Sequence, residues 1–238
     1  MNWLEIIVLP LIQGIAEFLP ISSSGHLVIA EAVLGQPPNS TYNILLHGGT
    51  LASILIFYHR KILDLLRQDR RVIPLLIVGT LPAAMIGIAI KLSFEEVLEK
   101  PLVAACLLPV TGLVVWWSNR RPDGEETYRH LTFRKTLLIG LFQSFALLPG
   151  LSRSGLTIAA GLSLGLRRDQ ATTFSFLLAI PAILGAMVLG CKDFLTGAAA
   201  PVTVEQIIGT VIAAIVGVFA LAWLCLLYTS PSPRDRIR

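Results

Sequence analysis

The sequence predicts an all-α integral membrane protein organised as an inverted-topology repeat, each half pairing a re-entrant helix hairpin with transmembrane helices. Three observations carry this reading. The 238 residues are 54% hydrophobic and only 14% charged, with a mean hydropathy of +0.73, whereas charged residues make up about a quarter of an ordinary soluble domain. The apolar runs are interrupted twice by short polar stretches rich in serine, glycine and proline, Pro20 to His26 and Pro149 to Thr157. Those stretches share a pattern at an offset of 130 positions, with Ser22-Ser23-Ser24-Gly25 falling on Ser152-Arg153-Ser154-Gly155 and Gln13 on Gln143.

Taken in order, Trp3 to Phe18 is apolar and helical in pattern, but its length of about 24 Å falls short of a hydrocarbon core of about 30 Å. After the break, Leu27 to Leu34 offers only about 12 Å of helix, which spans nothing. Two half-helices that enter and leave on one face, with Pro20 to His26 at the tip, account for both. One ordinary span followed by an interfacial helix is the competing reading. Spans are then expected at Tyr42–Tyr58, Val72–Ile90 and Leu102–Trp117. Gly48-Gly49, Gly79, Ala83-Ala84 and Gly87 give them small faces for close packing, the contact on which membrane helices rely. The second unit repeats the first. Leu131–Leu148 and Gly155–Leu166 flank the P-G-L-S-R-S-G break, and spans follow at Gln170–Leu189 and Gln206–Leu227.

Residues 1–228 thus read as a single membrane domain, with one repeat over about 1–118 and the other over about 131–228. Three crossings between the hairpins invert the second, so both broken tips meet near the midplane. By the same logic a final helix is missing after Leu227. The polar, proline-rich residues 229–238 are expected to be disordered or foreign, because such a composition cannot cross a bilayer.

Charge supports the map. The segments around 59–71, 119–135 and 167–168 hold twelve Lys and Arg residues, whereas the opposite loops hold only Lys91, Lys100 and Lys192. The positive-inside rule places the first set in the cytoplasm and the mouth of the first hairpin outside. A basic balance of this kind belongs to membrane loops and argues against a nucleic-acid partner. Cys106, Cys191 and Cys225 lie in or beside apolar runs without metal or redox spacing and read as small packing residues. The N-terminus lacks a basic stretch and carries Glu5 and Glu17, so a cleaved signal peptide is not expected.

Chemistry concentrates at the breaks. An arginine within apolar sequence demands an anion or a water-filled cavity, and Pro149-Gly150 before Ser154-Gly155 leaves helix-start N–H groups without intrahelical acceptors. If the tips meet, Glu17, Ser22, Ser23, Ser24 and His26 face Ser152, Arg153, Ser154 and Thr157, with Gln13 one turn below Glu17 on the same face. A planar guanidinium fork and two helix starts favour phosphate oxygens, and the set includes candidates for nucleophile and base. Blander roles compete. Ser24 and Thr157 could bond back to their own helices, Glu17 could be a protonated, hydrogen-bonded carboxyl, and His47 reads as a packing residue. Glu5, Glu31 and Glu95-Glu96 read as solvated. Ser23 and His26 are both placed to be the nucleophile. No paired-carboxylate cage is present, so a Mg²⁺ or Ca²⁺ ion would be held by Glu17, substrate phosphates and water.

At these residues a resemblance emerges. Q-G-I-A-E-F-L-P-I-S-S-S-G-H (Gln13 to His26), P-G-L-S-R-S-G-L-T (Pro149 to Thr157) and F-S-F-L-L-A-I-P (Phe174 to Pro181) closely resemble the bacterial undecaprenyl-pyrophosphate phosphatase family, also called the bacitracin-resistance protein. The likeness runs to about Leu227. It implies a multi-pass inner-membrane hydrolase of the peptidoglycan cycle, cleaving undecaprenyl diphosphate to the monophosphate carrier and inorganic phosphate. It further implies two re-entrant hairpins, a pocket open to the periplasm, a tendency to dimerise, and a link to bacitracin through the shared lipid substrate. Residue by residue, the family's carboxylate motif falls on Gln13 and Glu17, its histidine on His26, its hydroxyl cluster on Ser22 to Ser24, and its arginine motif on Ser152, Arg153 and Ser154. Glu17, Ser23, His26 and Arg153 are then the expected catalytic residues. Gln13, Ser22, Ser24, Ser152, Ser154 and Thr157 are the expected diphosphate-binding set. A membrane transporter or lipid-carrier flippase is the rival reading, since broken helices meeting at the midplane are also a transporter architecture.

Overall fold

A computed structural model describes residues 3–93, 100–195 and 201–229. Glu95-Glu96 and the tail from 230 onward lie outside the described residues. Within them the chain is helical, with ten α-helices and a 3₁₀ turn at Tyr128–His130. Four of the helices are long and apolar enough to cross a membrane by length and composition.

The first hairpin is α1 (Trp3–Ala16) and α2 (Ser23–Val33). At 14 and 11 residues, neither reaches across a core of about 30 Å. The second hairpin is of the same kind, but its label follows chain order. After α3 (Ser40–Phe57) come α4 (His59–Arg67), α5 (Val72–Ser93) and α6 (Pro101–Asn119), then the hairpin pair α7 (Phe133–Phe145) and α8 (Arg153–Ser163). The chain continues as α9 (Arg168–Leu195) and α10 (Val204–Thr229). The four membrane-length helices are α5, α6, α9 and α10. α3, also expected to span, has 18 residues but carries Asn43, His47 and Thr50 along its inner side.

One helix was not expected. α4 occupies part of the basic stretch that reads as a loop, and it forms because Ile62 and Leu65 recur on one side while Arg60 and Arg67 take the exposed other. Leu65 is buried in a cluster with Val72, Tyr128 and Phe174, which docks α4 as an interfacial helix. Lys61 extends over the Tyr58 and Tyr128 rings, 5.7 and 5.9 Å from their centroids. Its partial burial lowers the pKa of its amine from the ordinary lysine range.

The basic segments gather at one end of the molecule. Arg129 Nε pairs with Asp69 at 3.1 Å, Arg168 donates its backbone N–H to Asp123 at 2.7 Å, and Lys135 reaches both Glu126 (2.6 Å) and the Leu164 carbonyl (3.0 Å). The last contact joins the start of α7 to the end of α8, so this hairpin enters and leaves on the basic side. At the same end Arg120 and Arg121 lie over Trp116 and Trp117, 3.7 and 4.3 Å from the ring centroids, an arrangement suited to the membrane–water boundary.

Packing is tight where the hairpins meet their neighbours. Phe18, at the end of the first hairpin's descent, stacks edge-on against Phe176 of α9 with centroids 5.7 Å apart, in a cluster with Ile54 and Leu221. Leu9, Leu27, Tyr42, Leu46 and Ala213 form a second cluster that fixes α1 and α2 against α3 and α10. The tips themselves touch. A Cβ built on Gly25 would lie 2.7 Å from Gly150 Cα and 2.8 Å from its nitrogen, so only glycine permits this approach of backbone to backbone.

Candidate active site

Both tips are built by the same local device. Ser22 caps α2 by accepting the Gly25 N–H (3.3 Å), and Ser152 caps α8 by accepting the Gly155 N–H (3.1 Å). Serine is among the best residues for this task because its short hydroxyl reaches an orphan N–H. The turn before α8 is held by Thr111 of α6, whose hydroxyl donates to the Gly150 carbonyl (2.7 Å) and accepts the Ser152 N–H (3.0 Å). Gly150 takes φ +95° there. Across the gap, the Ser154 hydroxyl donates to the Leu19 carbonyl at 3.3 Å, tying the second tip to the first.

Glu17 is the hub. Its Oε2 accepts from Ser23 Oγ at 2.5 Å and from Gln13 Nε2 at 3.1 Å, and its Oε1 is paired with the Arg153 guanidinium. His47 of α3 brings Nε2 to 3.6 Å from the same carboxylate. Arg153 is further anchored by the Ser175 carbonyl (3.5 Å). Thr157 lies behind it, bonded to the Arg153 carbonyl (2.8 Å) and the Ser175 hydroxyl (2.6 Å). A buried carboxylate–guanidinium pair of this kind is tolerated because each partner keeps further hydrogen bonds.

These groups open onto a cavity of about 220 Å³ lined by Glu17, Ser22, Ser23, Ser24, Ser152, Arg153 and Ser154, together with His47. Seven of the ten residues singled out in the sequence therefore share one space. Three do not line it. Gln13 is fully buried behind Glu17 and also donates to Thr50 (3.3 Å). Thr157 bonds back to the Arg153 backbone carbonyl and to Ser175. His26 points its Nδ1 at the Ser22 carbonyl, 2.7 Å away, where it steadies the tip.

The imidazole in the cavity is instead that of His47, which sequence reasoning took for a packing residue. Its side chain keeps 28% of its surface accessible, against 5% for Glu17, so it stands between the buried carboxylate and the open space. Its Nδ1 contacts the Asn43 carbonyl at 2.7 Å. A carbonyl only accepts, so Nδ1 carries hydrogen and Nε2 faces Glu17. No sequence spacing announces this, because the contact is made between helices. Ser175 was also unassigned, although it sits inside the F-S-F-L-L-A-I-P stretch. Among the described residues, no cluster of three or more His, Cys, Asp or Glu side chains has metal-binding geometry.

Fold and site together define a polytopic membrane protein whose buried polar cavity, centred on an arginine and a glutamate, lies between the tips of two broken helix pairs. The chain belongs to the bacitracin resistance protein family: the family model "Bacitracin resistance protein BacA" matches residues 6–232. It is 51% identical over 224 residues to an undecaprenyl-diphosphatase of Rhodopirellula baltica, covering 93% of this chain and 87% of that protein. It is also 42% identical over 196 residues to an undecaprenyl-diphosphatase of Carboxydothermus hydrogenoformans (82% and 75% covered). A further undecaprenyl-diphosphatase, from Methanosphaera stadtmanae, is 38% identical over 233 residues (88% and 84% covered).

Proposed function

We propose that this protein hydrolyses undecaprenyl diphosphate to undecaprenyl phosphate and inorganic phosphate, returning the lipid carrier to cell-wall synthesis, with Ser23 as nucleophile. The observation that carries the reading is the Ser23 hydroxyl donating to Glu17 at 2.5 Å in a cavity that also presents Arg153. In this reading Arg153 and the N–H groups at the starts of α2 and α8 hold the terminal phosphate. Glu17 takes the Ser23 proton as Oγ bonds to the terminal phosphorus, and the bond from that phosphorus to the bridging oxygen breaks, freeing undecaprenyl phosphate. Water then cleaves the phosphoserine, and the Ser23 oxygen recovers its proton. Serine is favoured over His26 because the imidazole is engaged with the Ser22 carbonyl and does not line the cavity.

Glu17 is the one carboxylate lining that space among the described residues, so the donor set fits a dication shared with substrate rather than an all-protein cage. Mg²⁺ or Ca²⁺ would be held by Glu17, diphosphate oxygens and water, and when bound would neutralise charge on the departing phosphate. The basic end belongs in the cytoplasm by the positive-inside rule, which supports an inner-membrane protein with the site facing the periplasm. A homodimer, and a bacitracin phenotype through the shared substrate, belong to the same reading.

The test is phosphate release from undecaprenyl diphosphate by purified protein, with and without chelator, alongside Ser23→Ala. Wild type is expected to turn over. The variant is expected to fall below about 1% of that rate, a loss in keeping with a missing nucleophile, while still binding substrate. Ser23→Ala with near wild-type turnover would remove serine from the mechanism.

A further inference from the structure

Two acceptors face each other in the polar cavity, and the phosphatase reading uses only one of them. His47 spends its Nδ1–H on the Asn43 carbonyl at 2.7 Å, which leaves the neutral ring a lone pair at Nε2. That nitrogen lies 3.6 Å from Glu17 Oε2. A charge-assisted hydrogen bond between an imidazole and a carboxylate draws the pair to about 2.7–2.9 Å, so the gap is too long for a shared proton. It suits a metal ion, since bonds of about 2.1 Å to imidazole nitrogen and carboxylate oxygen span it without displacing either residue. The carbonyl contact is the device that orients ligating histidines, whose other ring nitrogen donates to a carbonyl or carboxylate. Asn43 is itself tied to α2, because its Nδ2 donates to Glu31 at 3.1 Å, and this steadies the turn of α3 that carries the ring.

Glu17 has room for such an ion. Its Oε1 belongs to Arg153, so two positive charges would sit at opposite ends of one carboxylate. At Oε2, Gln13 Nε2 has a second acceptor in Thr50 at 3.3 Å and can cede its place. We infer that His47 Nε2 and Glu17 Oε2 together hold the dication that accompanies the diphosphate, and that it is a first-row ion such as Mn²⁺ or Zn²⁺. This rests on the phosphatase reading and adds to it a second protein ligand and the class of the ion. A nitrogen donor among oxygens favours first-row metals, whereas Ca²⁺ takes oxygen ligands. With His47 28% accessible from the cavity, its nitrogen is within reach of an ion that arrives with the substrate.

The test reads the ligand directly. Purified protein is mixed with Mn²⁺ and methylenediphosphonate, a diphosphate mimic that is not hydrolysed, and the electron spin echo of the bound ion is examined for modulation by a ligating nitrogen. Wild type is expected to show it, with frequencies that change when the histidines carry ¹⁵N. Of the chain's four histidines only His47 lines the cavity. His47→Gln should therefore lose the nitrogen signal and bind Mn²⁺ at least about tenfold more weakly, the scale of a disturbed metal site, and His26→Gln should keep the signal. Bound Mn²⁺ without histidine modulation in wild type, or a signal that survives His47→Gln, would overturn the assignment and leave the phosphatase reading intact. No phosphate release by wild type from undecaprenyl diphosphate, with or without added dication, would instead sink that reading, and this one with it.

Discussion

The two helix breaks start from nearly the same sequence and end in different jobs. Each has a serine cap, a glycine three positions later and a glutamine in the helix before it, at a constant offset of 130 positions. The difference lies in what is added to that frame. At the first break the chain places Glu17 where the second has Leu147, and Ser23 where the second has Arg153. The first tip therefore carries the carboxylate and hydroxyl, and the second carries the cation and, in Leu147, an apolar wall of the cavity. Backbone geometry diverges too, since Ser22 takes φ +69° while Ser152 has φ −76°. Duplicating a break gives two anion-tolerant helix starts. Only their divergence gives a site.

The sharpest way to break this comparison is at Arg153. Arg153→Lys is expected to cut turnover on undecaprenyl diphosphate by about 10²-fold or more, because an ammonium cannot hold Glu17 and two phosphoryl oxygens as a planar fork does. Wild-type-like turnover would show that the second tip supplies charge alone.

The paired glycines give a second test of intermediate size. Gly25→Ala drives a methyl into the Gly150 backbone at 2.7–2.8 Å, whereas at the equivalent Gly155 the nearest atoms are 3.2–3.4 Å away and alanine favours the helix. Activity should fall about tenfold or more in Gly25→Ala, since small displacements of a reacting pair are costly, and stay within about threefold in Gly155→Ala. Equal effects would mean that the contact between the tips does not set the site. The smallest effect concerns the caps. Ser152→Ala should destabilise the protein by about 1 kcal/mol, read as a lower thermal midpoint in detergent, with Arg153 still able to bind phosphate.

Much of this arrangement was legible in the sequence because its causes are local. Helix pairs too short to span, serine caps before glycine, and an arginine inside apolar sequence each leave a mark within a few residues, and together they located both tips and the Glu17, Ser23 and Arg153 set. What escaped depends on contacts between distant helices. His47 is one imidazole in an apolar run, and nothing along α3 says that it reaches a carboxylate 30 positions earlier. His26 shows the reverse, since adjacency to the serine cluster suggested a share in the cavity, but its ring turns back to its own helix start. α4 was missed because its charges outweighed the two apolar positions that dock it.

The cavity between α5 and α9, which shares Arg153 with the polar site, is open on its outer side where Ala84, Gly185 and Val188 are exposed, and this bears on how such a protein would meet its substrate. A ligand that arrives through a gap in the lipid-facing wall never becomes a solute in water. It diffuses in two dimensions, and its effective abundance is a mole fraction of the bilayer rather than a molar concentration. Occupancy of Arg153 would then follow how crowded the membrane is with prenyl diphosphate relative to other lipids. Adding inert lipid to a vesicle would dilute the substrate as surely as adding buffer dilutes a soluble one.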